Sequence, residues 1–286
     1  MVNKEYDIVV FGATGFTGQL ICEYLNNHRD IDSLNWAISG RTIDKLTPLS
    51  KKYSIDLIQA DAFDLKSLDQ LTSKTKLIIS VVGPYSLFGK QLIESCVNNQ
   101  CHYLDLTGEP EFVHFVENNF AIRAKENGVI LMNCCGFESI PPDIGVYYTV
   151  NQLKDKNVQI NTFLKTKGKI SGGTWASFLN SFSSKKPIIK KGLQNNKKSK
   201  KIFYVKELKK WALIFPVIDK HIVKKSARQI NYGEYFSFNQ YILFNSLFKI
   251  MGLIFSISCI GLLAKFRFFR NWLISFIPSG AGPSLD

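Results

Sequence analysis

Three glycines, Gly12, Gly15 and Gly18, stand between an apolar run, Ile8-Val9-Val10-Phe11, and a stretch whose Leu20, Ile21, Tyr24 and Leu25 repeat on one helical face. Few arrangements need that spacing. Gly12 permits a tight turn after a strand. Gly15 lets the backbone approach a ligand, and Gly18 lets the helix pack closely on the strand. The amides of the new helix then point outward at an anion. Gly12-Ala13-Thr14-Gly15-Phe16-Thr17-Gly18 therefore reads as a cradle for the pyrophosphate of a dinucleotide.

The pattern continues in units. Trp36–Ser39, Leu57–Ala60, Leu77–Val82, His102–Leu106 and Val129–Asn133 are further strand-like runs. Helical segments separate them around residues 42–53, 65–72, 88–99 and 111–127. Continuous Val/Ile/Leu runs fit strands buried on both faces, so residues 1–150 are expected to form a Rossmann domain, a doubly wound parallel α/β sheet. The rhythm then changes. Residues 159–166 read as a strand of a second sheet, and residues 171–178 as a glycine turn feeding a helix. Residues 185–225 are lysine-rich, which suggests a flexible loop or a solvated basic surface. The expectation for residues 151–286 is a second domain ending in an apolar helical segment over 235–277.

Charge divides the chain as well. Residues 1–150 carry 12 Lys+Arg against 18 Asp+Glu, a net of −6, whereas residues 151–286 carry 24 against 5, a net of +19. The second half should meet something anionic. No nucleic-acid recognition motif accompanies the lysines, so the expected partner is a membrane or lipid surface and not nucleic acid. Ile250–Ala264 is 15 residues without charge, short of the ~20 that span a bilayer. Lys249 lies before it, and Lys265, Arg267 and Arg270 follow beside Trp272. A single span, a monotopic hairpin and a buried helix pair all fit this pattern. The polar start, Met1 to Asp7, has no signal-peptide character, so a cytosol-facing, membrane-associated protein is expected. Six cysteines without a C-x-x-C pair read as reduced core thiols.

The end of the second strand bears on cofactor choice. Ser39-Gly40-Arg41 places a cation where an NAD site would carry an acid, which favours the 2′-phosphate of NADP(H) over NAD(H). Asp61 suits either the adenine edge or a helix cap. Gly83-Pro84-Tyr85 closes the fourth strand beside the expected nicotinamide half. No tyrosine is followed by lysine four residues later, which excludes that proton relay. The four histidines are scattered, and no metal site is expected. Ligands of such sheets sit at the carboxyl ends of the strands, which selects Tyr85, Asp105, Thr107, Glu109, Cys135, Glu138 and Asp143. Of these, Asp105 or Glu109 could move a proton during hydride transfer, or serve as a cap or a buried hydrogen-bonding group.

Several motifs together resemble one family. They are Phe11 to Gly18, Ser39-Gly40-Arg41, Val81 to Tyr85, Tyr103 to Glu111, Cys134 to Asp143, Ser171-Gly172-Gly173-Thr174 and Gly280-Ala281-Gly282-Pro283-Ser284. The chain resembles the saccharopine dehydrogenase-like oxidoreductases, the group that also includes the mycobacterial trans-acting enoyl reductases. The likeness is dense up to Ser177 and looser beyond. It implies an NAD(P)-type Rossmann domain, a second α+β domain, association with lipid bodies or membranes, and a lipid-like substrate in lipid or glycolipid metabolism. It does not imply saccharopine as substrate. In the family more chain follows the last motif, so the resemblance implies an incomplete second domain and leaves open a catalytically inactive nucleotide-binding scaffold.

Overall fold

A computed structural model describes residues 4–28, 30, 33–154, 157–165, 168, 170–182, 199–278 and 280–283. In chain order its first elements are β1 (Tyr6–Phe11), α1 (Phe16–Asn27), β2 (Trp36–Gly40), α2 (Ile43–Tyr53), β3 (Asp56–Gln59), α3 (Leu65–Ser73) and β4 (Thr75–Ser80). Next come α4 (Tyr85–Phe88), α5 (Lys90–Asn98), β5 (His102–Asp105), α6 (Pro110–Glu126) and β6 (Leu131–Met132). Then follow α7 (Ile140–Gln152), β7 (Asn157–Leu164), α8 (Gly172–Ser181), β8 (Ile202–Val205), β9 (Lys210–Ile214), α9 (Asp219–Ile230), β10 (Tyr235–Phe244), α10 (Leu247–Ala264) and α11 (Arg267–Ser275).

The first unit comprises residues 1–135, 169–184 and 267–286. Its six strands are parallel and lie in the order β3-β2-β1-β4-β5-β6, the doubly wound Rossmann arrangement the sequence predicts. Alternation along β1 supplies both faces. Val9 and Phe11 pack with Ile78 and Tyr103 against Leu68 and Leu71 of α3, Leu92 and Ile93 of α5 and Phe112 of α6. Val10 joins Ile38 against Cys22 of α1 and Leu46 of α2. Local chemistry sets the helix ends. Asp64 accepts the Lys66 amide at 3.1 Å to cap α3. Pro110 opens α6, and Arg123 and Lys125 close it.

The second unit comprises residues 136–168 and 185–266, so the expected cut at residue 150 falls inside it. Its sheet runs β7-β10-β9-β8, with β7 and β10 parallel and the other pairs antiparallel. Val146 of α7, Val223 and Ala227 of α9, and Tyr232 pack on Phe238 of β10.

Two expectations change here. Of the expected lysine-rich loop, residues 185–198 lie outside the described residues, but 199–225 hold the β8–β9 hairpin and most of α9. The lysines occupy exposed or half-buried positions while Val205, Ala212 and Val223 face inward, so solvated charge coexists with regular structure. The apolar stretch 235–277 is likewise three different objects. Tyr235–Phe244 is an inner strand, apolar because its neighbours bury it. Only α10 is a long apolar helix, and α11 packs on α8 in the first unit.

Candidate functional site

The turn from β1 to α1 is held by β2. The Ser39 carbonyl accepts the Gly12 amide at 2.8 Å and the Ala13 amide at 3.4 Å. Gly12 has φ +95°, and a Cβ there would lie 2.6 Å from Val82 Cγ2. A Cβ on Gly18 would run into the Gly12 carbonyl and lie 2.8 Å from Ala13 Cα, so only glycine lets α1 start this close to the strand. Gly15 differs. Its missing side chain would meet only the Gly12 oxygen, at 3.3 Å, so its outer side is open to a ligand. Gly15 caps α1 without a side chain, and the first turn carries no acid. Its amides and positive dipole end fit a pyrophosphate. Phe16 and Thr17 begin this turn half-buried, and the Thr14 carbonyl is fixed by the Gln19 side chain at 3.1 Å.

Arg41 directly follows β2 and is exposed, and its carbonyl accepts from Gln59 Nε2 at 3.0 Å. Ser39 serves the turn through its carbonyl, whereas its hydroxyl is buried without a partner. Asp61 Oδ1 accepts the Phe63 amide at 2.9 Å, which makes it a turn former beyond β3.

At the end of β4 the Tyr85 side chain turns inward: its ring is buried against Phe112, and its hydroxyl donates to the Ser80 carbonyl at 3.2 Å. Gly83 and Pro84 are left to line that end with backbone. Asp105 is fully buried. Its Oδ1 accepts the Thr107 and Cys134 amides, each at 3.0 Å, and its Oδ2 accepts Asn133 Nδ2 at 2.6 Å. Burial outweighs these bonds and pushes its pKa up to about 6. Glu109 caps α4: its carboxylate accepts the Tyr85 amide at 2.8 Å, the Ser86 amide at 3.0 Å and the Ser177 hydroxyl at 2.8 Å. Both carboxylates thus accept hydrogen bonds from backbone amides. Asp105 serves loop amides that follow β5 and β6, and Glu109 serves the first amides of α4, which have no partner within the helix.

Of the other residues at strand ends, Thr107 is buried and orients Glu109 by accepting its amide at 3.1 Å. Cys135 is half-buried, and burial pushes its thiol up to about 11, as in a packing cysteine. Glu138 and Asp143 belong to the second unit, where Asp143 accepts the Ser226 hydroxyl at 2.8 Å. Sequence reasoning missed Ser177 and Asn180. They lie on α8 and bind Glu109 and Ser86 Oγ, the latter at 3.1 Å. The one available signal was Ser171-Gly172-Gly173-Thr174, which opens that helix; Ser171 caps it by accepting the Thr174 amide.

A parallel sheet in this order, with an open glycine turn at the β1 end, defines a dinucleotide-binding protein of the Rossmann class. Residues 8–132 match the saccharopine dehydrogenase NADP-binding domain family. A saccharopine dehydrogenase-like oxidoreductase of Arabidopsis thaliana is 30% identical over 329 residues, covering 96% of this chain and 72% of the relative. The chain belongs to the saccharopine dehydrogenase-like oxidoreductases, and its cofactor domain is of the NADP-binding type. A lipid droplet localized protein of Caenorhabditis elegans is 30% identical over 252 residues, covering 78% of this chain and 59% of that protein. Among solved structures, apo saccharopine dehydrogenase (L-Glu forming) of Saccharomyces cerevisiae superposes with a TM-score of 0.51 at 16% identity. That match covers 83% of this chain and 55% of the yeast chain, a likeness of fold.

Proposed function

We propose that this protein is an NADP(H)-dependent oxidoreductase that acts on a lipid-like substrate at a cytosol-facing membrane or lipid-droplet surface, in lipid or glycolipid metabolism. Bound nicotinamide supplies or accepts the hydride. The chain's own residues bind and orient the cofactor. The amides of Gly12–Gly18 hold the pyrophosphate, Arg41 pairs with the 2′-phosphate, Asp61 lies toward the adenine, and the Gly83-Pro84 backbone lies along the nicotinamide half. The observation that carries the lipid part is α10. It is 18 residues long with mean hydropathy 2.1, and only Ile250, Gly261 and Ala264 are buried. At 1.5 Å per residue it is about 27 Å long, close to the ~30 Å hydrocarbon core. The name of the nematode relative points the same way.

A second reading has support of its own. The commitment of Asp105 and Glu109 to backbone amides favours a nucleotide-binding scaffold without turnover. Incubating the protein with NADPH and a lipid extract, followed by mass spectrometry, separates the two. An NADPH-dependent product that disappears in Gly18→Val supports the enzyme. Tight NADPH binding with no product supports the scaffold.

A further inference from the structure

Three glycine motifs lie far apart in sequence, and the first unit brings them together. The last of them, Gly280 to Pro283, has no part in the cofactor reading so far. Gly280 sits at φ +88°, and the Ala281 amide donates to the Pro278 carbonyl at 3.0 Å. The Ala281 carbonyl accepts the amide of Gly172, the first residue of α8, at 2.9 Å. A Cβ on Gly172 would run into the Pro278 carbonyl. On the other side of this strap, a Cβ on Gly282 would run into the ring of Phe16. The strap is therefore wedged between the first residue of α8 and the first residue of α1, and glycine marks the closest approach on both sides.

The rest of α8 makes this a fixed block. Trp175 Nε1 donates to the Leu273 carbonyl of α11 at 2.7 Å. Toward its other end, Ser177 Oγ binds Glu109 at 2.8 Å and would lie 3.4 Å from a Cβ on Gly83. The block thus reaches from Phe16, beside the pyrophosphate turn, to Gly83, at the end of β4. On such a sheet that is the stretch from the pyrophosphate to the nicotinamide half of a dinucleotide.

We propose that the Gly280–Pro283 strap, pinned to Gly172 and seated on Phe16, is part of the dinucleotide site and sets how tightly the cofactor is held. The proposal rests on the NADP(H) reading of the Gly12–Gly18 turn. Phe16 immediately follows Gly15, so its ring position is coupled to the backbone that receives the phosphates. With the strap in place, the ring is ordered before the cofactor arrives, and the ordering cost is not charged to binding.

The test is a fluorescence titration of the full chain with NADPH, with thermal unfolding of each apo protein alongside. Gly282→Val should raise the Kd by about tenfold, the scale of one immobilised side chain. Gly145→Ala, at a glycine with open space around it, should leave Kd unchanged. In a Phe16→Ala background Gly282→Val should add less than about twofold, because the two act as one unit. If valine lowers the melting temperature sharply, Gly282→Ala supplies the milder push and the same comparison. Wild-type affinity in Gly282→Val and Gly282→Ala, or an equal penalty with and without the Phe16 ring, would overturn the proposal. A wild-type chain that fails to bind NADPH would instead overturn the cofactor reading, and the strap with it.

Discussion

Replacing Asp105 with asparagine should make the protein less sensitive to pH. In the folded chain this carboxyl is fully buried and its pKa is pushed up to about 6, against an ordinary value of 3.8. The folded state therefore holds the proton more tightly than the unfolded state. The group's stabilising contribution is complete below about pH 4 and is lost as pH rises through about 6. The gap of about 2 units, at 1.36 kcal/mol per unit, amounts to about 3 kcal/mol. Asparagine keeps an oxygen for the Thr107 and Cys134 amides, and the facing Asn133 amide can turn over to accept. Urea unfolding of both proteins at about pH 4, 5, 6 and 7 gives the stability difference at each pH. That difference should move by about 3 kcal/mol in favour of the variant across the window. A difference that stays flat would show that Asp105 titrates normally. A shift in favour of wild type as pH rises would mean that the fold stabilises its charge, and would refute the desolvation argument outright.

The other perturbations probe separate parts of the site. Glu109→Ala leaves the Tyr85 and Ser86 amides and the Ser177 hydroxyl without their acceptor, and denaturant unfolding should show a loss of about 1–3 kcal/mol. Arg41→Ala should weaken NADPH binding about tenfold while leaving NADH nearly unaffected, because a charge-assisted contact to phosphate is lost only with the first cofactor; equal loss for both in parallel titrations would remove Arg41 as the phosphate reader. A reporter carrying residues 247–264 should float with lipid vesicles, and one carrying residues 235–244 should not, since the first segment is an exposed apolar helix and the second an inner strand.

The sequence exposed what is local. Glycine spacing, the Val9/Val10 alternation and the apolar faces of α1 to α6 depend on neighbours within a few residues, so both the turn and the sheet could be read from them. The β8–β9 hairpin was hidden because lysines surround it and its inward residues, Val205 and Ala212, are few. The carboxylates were found at the right sheet edge, but their roles depended on distant partners. Glu109 meets Ser177, 68 residues away, and Asp105 meets the Cys134 amide, 29 residues away. No periodicity encodes such pairs. The same holds for the return of α8 and α11 to the first unit, which no single cut along the sequence can describe.

The central claim is that the β1–α1 turn holds a dinucleotide through its backbone. Calorimetric titration of wild type and Gly18→Val with NADPH tests it most directly. In the variant a side chain must enter space already filled by the Gly12 carbonyl and by Ala13 Cα. Saturable one-site binding in wild type, reduced at least about a hundredfold in a variant that still unfolds cooperatively, is the predicted result. Unchanged affinity in the folded variant would contradict the account.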